Sequence, residues 1–143
     1  MMEIKYEDIP YHWPLCFHTQ CPRKNECMRF KAGLAVPADK YSCIAVTPPA
    51  LKLTPCPMFH KIEIIRAAVG FRHLFYDVKQ RHASEMRSHI ISYLGGHGTY
   101  YRYMRGENAL SPEQQQWIGR LFKAYGYNEP VTFDAYEERY RLE

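Results

Sequence analysis

Residues 57–75 read PMFHKIEIIRAAVGFRHLF, and the period assigned to this stretch decides the fold class. Ile62, Ile65 and Val69 fall at helical spacing, and Ala67 and Ala68 permit close approach of a neighbour. The spacing predicts a helix over residues 59–76.

Two further helices are expected downstream. In SEMRSHIISYLGG, Ser84 stands as a cap, Met86, Ile90, Ile91 and Leu94 fall on one side, and glycines stop the run, giving a helix over 84–94. In LSPEQQQWIGRLFKAYGY, Ser111 caps, Pro112 occupies the first turn and Gln114 completes a capping box. Trp117, Ile118, Leu121, Phe122 and Tyr125 form its apolar stripe, Gly126 ends it, and the helix is expected over 112–125. The expected core gathers Ile65, Leu94, Trp117, Leu121 and Phe122. The fold class that follows is mostly α: a small helical bundle, helix-turn-helix-like, with an irregular cysteine-containing N-terminal segment.

A chain of 143 residues with 46% hydrophobic and 15% aromatic content can bury a core of its own. The expectation is a single domain over 1–143, made of an irregular segment 1–57, a helical core 58–127 and an acidic tail 128–143 docking on the core. Most of the ten prolines lie in the first 57 residues, where they interrupt any long helix. One short helix fits between Cys21 and Lys31, ended by Gly33, and CIAVTP at 43–48 reads as a short extended piece. The net charge of +4 is unevenly spread: residues 60–127 carry ten Lys/Arg against five Asp/Glu, whereas residues 128–143 carry two against five. A basic middle with an acidic tail suits a polyanion-facing surface.

Five cysteines stand in the chain, three of them within CFHTQCPRKNEC at 16–27. The opening MMEIKYEDIP has no basic, apolar and small-residue leader pattern, and no apolar run reaches membrane-spanning length, so the expected address is the cytoplasm. Thiols stay reduced there, and an odd count fits a disulfide scaffold poorly. Cys16, Cys21, Cys27 and Cys56 give C-x4-C-x5-C-x28-C, a full ligand set for an iron–sulfur cluster or, alternatively, zinc. The wide spacings and the Cys-Pro pairs at 21–22 and 56–57 favour the cluster. Cys43 is the spare thiol, and His18 is a substitute zinc ligand should Cys56 not serve. The bland alternative is that the thiols pack as small apolar groups.

The segment YLGGHGTYYRYMRGENALSPEQQQWIGRLFKAYGY resembles the helix-turn-helix of phage-repressor-type regulators in its order of parts. That resemblance implies DNA as partner, with His97, Thr99, Tyr100, Tyr101, Arg102 and Arg105 facing it. Over nearly its whole length, the chain also resembles a family of small uncharacterised bacterial proteins catalogued as a domain of unknown function. The shared features are C-F-x3-CP-x4-C, CP-x-F, GxYYRYxRGE, LSPEQQ and FDxY. That resemblance implies one domain and brings no activity. No phosphate loop, nucleophile elbow or His-Glu metal motif is present, which points away from an enzyme. Together these features describe a metal- or redox-responsive nucleic-acid-binding regulator. The alternative is a metal-stabilised protein-interaction module.

Overall fold

A computed structural model describes residues 2–142. The chain folds as two compact units, one running up to Ile64 and resumed from Tyr140, the other spanning Ile65–Arg139. Its helices are α1 (Met28–Gly33), α2 (Pro48–Leu51), α3 (Gln80–Leu94), α4 (His97–Arg105) and α5 (Pro112–Ala124); its strands are β1 (Ile64–Val69) and β2 (Ala135–Tyr140).

The expected mostly α bundle is corrected here, because helix accounts for only 38% of the chain and strand for 12%, with a two-stranded sheet among its elements. The stretch expected as a helix over 59–76 is strand β1 followed by a series of turns. Ile64, Ile65 and Val69 are β-branched and lose side-chain freedom in a helix, so they suit a pleated strand once a partner is at hand. The partner is β2, drawn from the segment expected as an acidic tail. The Asp134 N–H donates to the Gly70 carbonyl at 2.9 Å and the Arg141 N–H to the Glu63 carbonyl at 2.8 Å, so numbering rises along one strand as it falls along the other. The strands are therefore antiparallel, and this register sets Arg66 opposite Glu138 and Ala68 opposite Tyr136. The Arg66 guanidinium lies 4.1 Å over the Tyr136 ring. Gly70, at φ +83°, ends β1 beneath the Asp134 carboxylate, which accepts the Arg72 N–H at 2.9 Å.

In the Ile65–Arg139 unit, Ala68, Phe71, Met86, Ile90, Leu94, Tyr100, Leu110, Ile118 and Phe122 form the core. The α5 start matches its reading: the Ser111 hydroxyl accepts the Gln114 N–H at 3.2 Å, and the Gln114 side chain accepts the Ser111 N–H at 2.8 Å. α3 begins at Gln80, a turn before the expected Ser84, and stops at Gly95 in the left-handed region as expected. Of the expected core, Leu94 and Phe122 are buried, while Ile65, Trp117 and Leu121 are half-buried. Ile118 is the fully buried member of the α5 stripe.

The other unit has a core that the sequence pattern does not announce: Trp13, Leu15, Met28, Ala32 and Tyr140. The expected short helix is a 3-10 turn at Lys24–Glu26 continued by α1. The expected extended piece is a parallel bridge, with Leu15 exchanging hydrogen bonds with Ile44 and Val46 at 3.0 and 2.7 Å. Gly33 packs directly on the Cys16 carbonyl, where a Cβ would come within 2.5 Å of the oxygen.

Candidate functional site

Cys16, Cys21, Cys27 and Cys56 all line one cavity of about 240 Å³. Three come from a single run of sequence. Cys16 leaves the Leu15 bridge with its N–H bonded to the Arg29 carbonyl at 3.1 Å. Cys21 sits on successive tight turns, its N–H reaching the His18 carbonyl at 3.3 Å and its carbonyl accepting the Lys24 N–H at 3.2 Å. Cys27 precedes α1 and bridges to Lys61 in antiparallel fashion. Cys56 arrives from a distant loop, where its carbonyl accepts the Phe59 N–H at 3.2 Å. Cys27 is buried and the other three are half-buried. All five cysteines are free thiols, and Cys43 is exposed beside a different cavity that includes Tyr6, Trp13 and Lys40. His18 also lines the cysteine cavity.

Among the described residues, no group of three or more His, Cys, Asp or Glu side chains is gathered tightly enough to hold a metal ion. The four thiols therefore share a wall without closing to single-ion distance.

The lining carries three cations that motif reading passed over: Arg23, Lys24 and Arg29. None of the described lining residues is acidic. Each cation is seated on an aromatic face, Arg23 3.6 Å over Phe59, Lys24 5.8 Å over Phe30 and Arg29 4.5 Å over Trp13. Burial holds the Arg29 guanidinium below its ordinary pKa, and the neighbouring Cys27, Cys56 and Cys16 side chains oppose that shift. Arg29 thus lines the same cavity as those three cysteines. A signal for two of the cations was present in the sequence: Arg23 and Lys24 occupy the spacer of CPRKNEC.

The proposed nucleic-acid residues lie on or beside α4, which starts at His97 and ends at Gly106, in the left-handed region. His97, Tyr101, Arg102 and Arg105 are exposed and Thr99 is half-buried. Tyr100 does not face outward. It is buried, with its ring edge-on to Phe71 at 5.4 Å, because α4 turns Tyr100, Tyr103 and Met104 into the core. Burial raises the Tyr100 phenol above its usual pKa, against the hydrogen bond and charge of Arg87. The Arg102 Nε donates to the Gly98 carbonyl at 3.4 Å, and Arg105 pairs with Glu107 at 2.5 Å. No described helix is long and apolar enough to cross a membrane.

No curated protein and no solved structure matches this chain. The family of unknown function DUF6078 matches residues 1–142, so the cysteine-lined unit and the helical unit fall within one family pattern, and the chain belongs to that family.

Proposed function

We propose that the chain is an iron–sulfur protein that ligates a cluster with Cys16, Cys21, Cys27 and Cys56. The observation that carries this reading is the convergence of four cysteines, one of them 29 positions beyond its nearest fellow, on one cavity with a cationic, acid-free lining. One water takes about 30 Å³ of liquid volume, so a cavity of about 240 Å³ is several-fold larger than a single ion requires and suits a multi-atom cluster. Four thiolates give a bound cluster net negative charge, which is costly to bury unless compensated. Arg23, Lys24 and Arg29 supply that compensation. Free thiols also suit a reducing, cytoplasmic address.

The test is anaerobic purification and reconstitution with ferrous iron and sulfide, followed by iron and acid-labile sulfide analysis and visible absorbance. A cubane would give about four of each per chain. Serine at any of the four positions should lower the yield, and Cys43→Ser should leave it unchanged. Zinc bound without sulfide would overturn the cluster and place zinc at the same thiols.

Nucleic-acid binding by α4 is a second reading. It is favoured by His97, Tyr101, Arg102 and Arg105, all exposed on one short helix that contains no acidic residue. With the cluster, it would make the chain a redox-responsive regulator.

A further inference from the structure

We infer that Arg29 is the positioning residue that holds three of the four cysteine-bearing segments around the cavity, an inference resting on the cluster reading for its purpose but not for its geometry. Arg29 stands two residues after Cys27, on α1. Its Nε donates to the Met58 carbonyl at 2.7 Å, two residues after Cys56. Its Nη1 donates to the Pro14 carbonyl at 3.0 Å, two residues before Cys16. Its own carbonyl accepts the Cys16 N–H at 3.1 Å. One residue thus joins segments that lie 15 and 29 positions from it along the chain. The Cys21 segment needs no such tie, because consecutive turns connect it to Cys27.

Only a planar guanidinium does this well. Its donors point in fixed, divergent directions, so one group bonds two carbonyls while its face rests on Trp13. Lysine carries the same charge but would keep one of those bonds at best. Among the described residues Arg29 makes no salt bridge with a carboxylate, and its half-buried charge is answered by the Met58 and Pro14 carbonyl dipoles. A bound cluster would bring the missing negative charge. The cation would in turn favour the more negative, reduced state of that cluster, raising its potential.

The test compares wild type, Arg29→Lys and Arg29→Ala, with circular dichroism to confirm that each variant is folded. In apoprotein, alkylation of Cys16, Cys27 and Cys56 should speed up about tenfold or more in both variants, the factor expected when a hydrogen bond to a charged group no longer opposes local opening. Cys43 alkylation should not change. In reconstituted protein, Arg29→Ala should take up less iron and sulfide than wild type, and the cluster it does form should have a lower reduction potential. Arg29→Lys should recover the potential more fully than the thiol protection, separating charge from clamp. Should Arg29→Ala fail to fold, Arg29→Lys alone decides the clamp through the alkylation rates. Unchanged alkylation in the folded variants would overturn the clamp whatever wild type binds. Failure of wild type to take up iron and sulfide, with accelerated alkylation in the variants, would instead sink the cluster reading and leave the clamp standing.

Discussion

Replacing Ile118 with alanine tests whether the helical unit is packed as described, and Leu121→Ala is its internal control. Both residues belong to the apolar stripe of α5, but Ile118 is fully buried in the core whereas Leu121 is half-buried. Each substitution keeps the helix propensity favourable, so packing dominates the outcome. Isoleucine carries three carbons beyond alanine, worth roughly 0.8 kcal/mol each when buried, or about 2.4 kcal/mol of transfer free energy. An enclosed void adds to this and brings the expected loss to about 3–4 kcal/mol, within the usual range for such truncations. At Leu121 part of the side chain already meets water and the gap left behind opens to solvent. There the loss should be about 1 kcal/mol. Urea titration followed by helical circular dichroism reads both. With a slope of about 1.5 kcal/mol per molar, Ile118→Ala should lower the midpoint by about 2 M and Leu121→Ala by less than about 1 M. Equal shifts, or a larger one at Leu121, would refute this assignment of the buried face.

Three other outcomes are expected. Gly33→Ala should lower iron and sulfide uptake more than a helix-favouring substitution could offset, because its Cβ would press on the Cys16 carbonyl and displace that cysteine's segment. Uptake equal to wild type would show that α1 and Cys16 are not packed so closely. Ser111→Ala should cost about 1 kcal/mol in thermal or urea unfolding, since it removes one half of the capping box and leaves the Gln114 N–H without its acceptor. Arg102→Ala combined with Arg105→Ala should leave stability nearly unchanged, as exposed charges add little to folding. If α4 binds nucleic acid, the pair should weaken duplex binding and reduce the salt slope by about one for each phosphate no longer neutralised. Binding that is indifferent to both would end that reading.

Cysteine separation and family membership meet at one physical point: candidate residues can be named from sequence, but their surroundings cannot. The C-x4-C-x5-C-x28-C spacing singled out the four thiols that line one cavity and set Cys43 aside. It could not show the Arg29 clamp, because the carbonyls it joins are backbone groups brought together by folding and carry no residue signature. The cationic lining was half visible, with Arg23 and Lys24 adjacent in the spacer and Arg29 two residues beyond Cys27. Tyr100 was misplaced because the helix-turn-helix likeness turned the whole run outward, whereas helical spacing sets Tyr100, Tyr103 and Met104 on one side, and that side packs into the core.

By itself, the sequence determined the features whose energetics are local. The α5 capping box and the glycine stop of α3 depend on residues a few positions apart, so short-range chemistry settles them. Tertiary structure alone decided between helix and strand at residues 64–69. The period of that stretch fits a helix face, while its β-branched residues fit a pleat. The choice went to the strand because β2, more than sixty residues away, offers backbone hydrogen bonds to its open edge. A strand's hydrogen bonds lie outside itself, so its stability belongs to the pair, and no window on one member contains the partner.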